Sequence, residues 1–158
     1  MTKNNSGIIW GVVTVLVVGG LFAWPILNDD TRPMVKAWKD AGLDCLSGHT
    51  NLAQHIHQTL TITVDGENES LAKDIGIAPS CMAEVHVHSG QPNVLHLETI
   101  ISDKRIELGK FFTVYGKPIV REGYDLKMTI NDKAYAGEPG ELVLEDGQVI
   151  ELKYISAR

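Results

Sequence analysis

All six histidines of this 158-residue chain fall between His49 and His96. Five of them stand in a pattern: His55-Ile-His57, His86-Val-His88, and His96-Leu-Glu98. On an extended strand, residues two apart project from the same face. Each His-x-His pair therefore presents two imidazoles side by side. Imidazole is a borderline ligand that suits zinc, copper, nickel and iron. Three imidazoles, with or without a carboxylate, are enough to hold such an ion. The expected ligands are His86, His88 and His96 with Glu98, and His55 and His57 form a second group. Copper or zinc is the expected ion. The competing reading is a structural or solvated histidine face, a contact surface that also responds to pH.

Two strands must position the second pair and His96. Glu84 to His88 and Val94 to Glu98 flank Ser89-Gly-Gln-Pro-Asn93, a run of turn formers. If Val94 pairs with His88, His86 faces His96 and Glu84 faces Glu98. Directly opposed residues have Cβ atoms about 5 Å apart. One face then carries Glu84, His86, His88, His96 and Glu98, and Val85, Val87, Leu95 and Leu97 form the core face. A slip of two residues would keep the same two faces, whereas a slip of one would mix them and is disfavoured. His55 to Val64 alternates in the same way, with Ile56, Leu60, Ile62 and Val64 on one side, and runs into an Asp65-Gly66 turn.

The remaining pattern suggests a mainly-β, α+β domain with short helices. Pro33 opens a short helix in which Met34, Val35, Trp38 and Ala41 recur at helical spacing and Gly42 is the stop. This helix is expected to pack beside the domain, followed by a polar link from Cys45 to Gln54. Asp74 to Pro79 reads as a loop or short strand. Leu108, Phe111, Phe112 and Tyr115 fit a second helix that ends at Gly116. Leu126, Met128 and Ile130 alternate up to a turn at Asn131-Asp132. Leu142 to Leu144 and Val149 to Ile155 read as closing strands around Asp146-Gly147. The stretch from Lys127 to Ile155 looks like half of a β-grasp.

Residues 8–27 are uncharged and about 20 long, which matches a hydrocarbon core of about 30 Å at 1.5 Å rise per residue. Trp10 and Trp24 sit near its ends, where aromatic rings favour the interface. The run is longer than a typical signal-peptide core and no Ala-x-Ala site follows, so it is expected to be a retained anchor in contact with lipid. Lys3 precedes it while Asp29 and Asp30 follow, which orients the N-terminus inward. The expected division is 1–7 cytoplasmic, 8–27 transmembrane, 28–54 juxtamembrane helix and linker, and 55–158 a β-rich domain on the periplasmic or extracellular side of the inner membrane. Gly11, Gly19 and Gly20 would let a partner helix approach closely. Cys45 and Cys81 both follow the anchor. In an oxidising compartment they make one disulfide, closing a loop worth roughly 3–4 kcal/mol; the alternative is two buried thiols.

Net charge is −6 with no basic tail or cluster, which excludes a nucleic-acid partner. The chain has no Gly-x-Ser-x-Gly elbow, no His-Glu-x-x-His helix and no phosphate-binding glycine loop. A non-enzymatic metal-binding module is therefore expected ahead of a metal-dependent enzyme. An accessory subunit of a larger respiratory or photosynthetic membrane complex is the other reading.

The runs HIHQTLTITVDG, IGIAPSCM, VHVHSGQPNVLHLET and ELGKFFTVYGKPI resemble a family of exported or membrane-anchored prokaryotic proteins. That family shares the order His-x-His, Ile-Gly-Ile, Cys, His-x-His, His-x-Glu and Leu-Gly-x-Phe-Phe. The resemblance covers about 65 residues, from His55 to Ile119; Val87 and Tyr115 stand where the family has Thr and Trp. It implies a shared architecture and a role for the histidines, without naming a reaction.

Overall fold

The structure, a computed structural model, describes residues 33–157. In chain order its elements are helix α1 (Pro33–Asp40), strands β1 (Cys45–Leu46), β2 (Gln54–Val64), β3 (Glu67–Glu69), β4 (Ile77–Ala78), β5 (Cys81–Ala83), β6 (Val85–His86) and β7 (Val94–Thr99), helix α2 (Leu108–Tyr115), strands β8 (Tyr124–Ile130) and β9 (Lys133–Ala134), a 3-10 turn (Pro139–Glu141) and β10 (Val149–Ser156). The domain is mainly β with two short helices, as its patterning predicts. Among the described residues no helix is long and apolar enough to cross a membrane. The expected anchor at 8–27, with Trp10, Gly11, Gly19, Gly20 and Trp24, lies outside the described residues.

A seven-stranded mixed sheet runs β6-β7-β2-β10-β8-β9, with β3 folded back onto β2; β1, β5 and β4 form a small second sheet. Asp65 and Gly66 both adopt positive φ at the β2–β3 turn, the backbone a tight two-residue hairpin needs. β2 and β10 pair in parallel from Thr59 opposite Val149 to Val64 opposite Tyr154. With a parallel central pair and one helix across the apolar face, the order β7-β2-β10-β8-β9 corresponds to the β-grasp arrangement suggested by residues 127–155. The segment carrying β3 to β6 is inserted between β2 and β7.

The sheet has two unlike faces because its strands alternate. Leu60, Ile62, Leu95, Leu97, Val85, Met128, Ile150, Leu152 and Tyr154 are buried on the core side, together with Leu108, Phe111 and Phe112 of α2. Each such aliphatic side chain contributes about 1.5–3 kcal/mol on burial. The helix read as packing beside the domain places Val35 and Trp38 in this same core. Gly116 closes α2 in the left-handed conformation, as its position predicts.

Two strand expectations need correction. Leu142 to Leu144 is not a strand: Val143 forms only an isolated bridge with Glu107. Leu142 and Leu144 are buried, yet their backbones reach only Leu108 and Ile106, because the 3-10 turn before them redirects the chain. The strand expected from Glu84 to His88 is short. It breaks at Glu84, pairs only at Val85 and His86, and His88 lies beyond its end.

Candidate metal centre

The hairpin register expected from the apolar alternation is present: His86 pairs with His96 and Val85 with Leu97. On its other edge β7 pairs with β2, which sets His57 opposite His96 and His55 opposite Glu98. His55, His57, His86, His96 and Glu98 therefore share one face of three adjacent strands. The backbone of β2 is pinned there, since His57 N–H donates to Asp146 Oδ1 at 2.9 Å and Gly147 N–H donates to His57 C=O at 2.8 Å. His88 joins from the turn after β6, which is tied down by Ser89 N–H donating to Asp74 Oδ1 at 2.9 Å.

His49 is the ligand candidate that sequence reasoning missed. It lies in what reads as a polar linker, and no strand period points to it. Cys45 and Cys81 form the expected disulfide, with their Cα atoms 4.9 Å apart, and Cys45 pairs across to Ala83. The bond fastens the 45–53 loop over the histidine face. His49 Nδ1 then lies 2.8 and 2.9 Å from the two oxygens of Glu98. The one sequence signal was its position four residues after a bridged cysteine, and that signal has meaning only once the bridge is known.

All six imidazoles are thus linked through neighbouring rings. Centroid separations are 4.6 Å for His55–His57 and His57–His96, 4.7 Å for His88–His96, 4.8 Å for His86–His88, and 5.2 Å for His49–His88. Three sets have ligand atoms that all lie within 4.8 Å of one another: His49, His86 and His88; His55, His57 and His96; and His86, His96 and Glu98.

The polar face is buried at its centre, which alternation alone did not suggest. His86, Glu84 and Glu98 are 0% exposed and His96 is 7% exposed. At Gly76, with φ of +82°, an added Cβ would lie 3.0 Å from the Val85 carbonyl and from His86 Cβ and 2.9 Å from Val114. This glycine lets the Ile75-Gly76 backbone press against β6, where Val87 N–H donates to Ile75 C=O. Glu84 does not face the histidines as a ligand. Its carboxylate accepts Asp44 N–H at 2.9 Å and pairs with Lys104, which also reaches Asp44 at 2.9 Å. Burial opposes the charge on Lys104, but the hydrogen bonds to Glu84 and Asp44 outweigh it and raise its pKa. Glu84 serves to lock the loop down.

Burial pushes the His86 imidazole down to about 3; the hydrogen bond to Ala83 opposes this, and the neighbouring His88, His96 and His49 add to it. Burial likewise lowers His96 to about 4, with His57, His88, His55 and His49 adding to the effect. Both rings are neutral at neutral pH. His86 Nδ1–H donates to Ala83 C=O at 2.9 Å, which fixes the tautomer and leaves the Nε2 lone pair facing His88 Nε2 at 3.2 Å. His96 Nε2–H donates to Gln91 Oε1 at 2.9 Å. Its Nδ1 is buried and has no hydrogen-bond partner, an unusual condition for a buried polar atom. Glu98 is a fully buried carboxylate whose partners are imidazoles: His49, and His55 Nε2 at 3.1 Å. A buried carboxylate is stabilised by an adjacent positive charge, and the groups that meet Glu98 here are imidazoles.

No protein-family model matches the chain, and no curated protein or solved structure matches it. The role of the site therefore has to come from its own chemistry.

Proposed function

We propose that this protein is a membrane-anchored, extracytoplasmic module that binds a transition metal, copper or zinc, through its histidine face. The observation that carries the proposal is the convergence of six imidazoles and one buried carboxylate on a single face, with their ligand atoms in groups no wider than 4.8 Å. The donor set is nitrogen and carboxylate oxygen, with both cysteines committed to the disulfide. Such a set, with imidazole as its main donor, suits copper(II) and zinc. The fixed tautomer of His86 and the unpartnered Nδ1 of His96 are the states that ligation requires.

The disulfide supports an exported location, since such bonds persist in oxidising compartments. In this proposal residues 8–27 cross the inner membrane once, N-terminus inward, and hold the domain on its outer side.

The test is the metal content of the full chain, purified from native membranes in detergent without chelator. Stoichiometric copper or zinc is expected, with loss in a His86→Ala, His96→Ala double variant whose circular dichroism matches wild type. Native protein devoid of stoichiometric metal would overturn the proposal.

A further inference from the structure

The six histidines divide without remainder into two sets of three. His49, His86 and His88 form one, drawn from the disulfide-fastened loop, β6 and the turn after it. His55, His57 and His96 form the other, drawn from β2 and β7. Three imidazoles with an open position are a complete protein ligand set for one borderline dication. The sets adjoin through His86 and His96, whose rings stack at 5.5 Å and 12°. The third group on this face takes those same two histidines, one from each set, and adds Glu98. Glu98 also touches one member of each set outside that group, His49 at 2.8 Å and His55 at 3.1 Å.

We infer that the face is a two-metal site, each ion held by one three-histidine set, with the Glu98 carboxylate lying between them. The inference rests on the metal-binding proposal above and deepens it. A lone ion held tetrahedrally by three imidazoles and a carboxylate uses four of these seven donors and leaves three imidazoles of the face without a part in it. Two neighbouring dications repel each other, and a carboxylate placed between them, screened from water, offsets that repulsion most where the local dielectric is low. Of the two fully buried carboxylates among the described residues, Glu84 is taken up by Lys104 and the Asp44 N–H, whereas Glu98 lies against members of both histidine sets. The chemical class of ligand is a pair of borderline divalent ions, copper(II) or zinc.

Stoichiometry tests this with the full chain. Metal-stripped protein is titrated with zinc or copper(II), then desalted, and bound metal per chain is measured for wild type, His57→Ala and His88→Ala. His57 is exposed and His88 half-buried, so neither substitution empties the core, and a matching thermal melt of the metal-free proteins checks this. Two ions per wild-type chain and one in each variant are expected, because each variant breaks a different set. One ion in wild type would overturn the two-metal assignment while leaving metal binding intact. Two ions in wild type with both lost in either variant would overturn the division into independent sets. No bound ion would overturn the metal-binding proposal itself.

Discussion

Glu98→Gln removes one charge from the centre of the site and keeps its shape. The wild-type carboxylate is fully buried and holds His49 and His55 in place. Carboxylates that orient or compensate a metal site change its affinity by about 10–100-fold when replaced, which is about 1.4–2.7 kcal/mol. Binding to the folded state alone raises stability by about 2.7 kcal/mol when free metal is at 100 times Kd. For the roughly 125 residues described, an unfolding entropy of about 2.1 cal/mol/K per residue gives about 0.26 kcal/mol/K. Each occupied site should then raise Tm by about 10 °C. The variant should lose about 5–10 °C of that gain at equal metal concentration. The assay is a circular dichroism melt with and without zinc, in the wild type and the variant. A metal-induced shift in Glu98→Gln equal to that of the wild type would refute the reasoning that the carboxylate sits at the centre of the site.

Three other outcomes are expected. Replacing both Cys45 and Cys81 by Ser opens a loop with a sequence separation of 36, which should cost about 3–4 kcal/mol and weaken metal binding as His49 comes loose; a melt and a zinc titration check this, and unchanged affinity would mean His49 is no ligand. Gly76→Ala forces a side chain into positive φ and against the Val85 carbonyl, so a loss of about 2–4 kcal/mol by urea unfolding is expected, with native-like stability as the contrary result. For the metal-free protein, His86 and His96 titrate near 3 and 4 when folded and near 6.5 when unfolded. The unfolded chain therefore binds more protons below pH 6.5. Stability should be highest above that pH and fall by up to about 1.4 kcal/mol per pH unit per histidine as pH drops toward the folded values. A flat urea midpoint from pH 7.5 to 5 would contradict the burial of these two rings.

Local chemistry was enough to read the faces of the strands. Period two put His55 with His57 and His86 with His88, and the apolar set Val85, Val87, Leu95 and Leu97 fixed the parity of the β6–β7 register, since a one-residue slip would mix apolar and polar faces, while the pairing among registers two residues apart came from the structure. The same logic found α1, α2 and the alternation of β8 and β10, and the cysteine pair followed from the expected compartment. Three things were decided by tertiary structure, because each depends on contacts far apart in the chain. The first is β2 beside β7, a pairing about 40 residues distant that merges two histidine groups into one site. The second is the loop that brings His49 over Glu98, which no period encodes because an irregular segment takes its path from what it packs against. The third is burial. Alternation marks the histidine face as polar, and it does so equally for a solvated surface and for a covered one. The Gly76 segment packs against β6 at His86, His49 of the disulfide-fastened loop lies over Glu98, and Gln91 lies against His96, and these contacts accompany the burial of all three residues of the face. That burial keeps the His86 and His96 imidazoles neutral beside a buried carboxylate whose partners are imidazoles, and it distinguishes this face from a patch of solvated surface histidines.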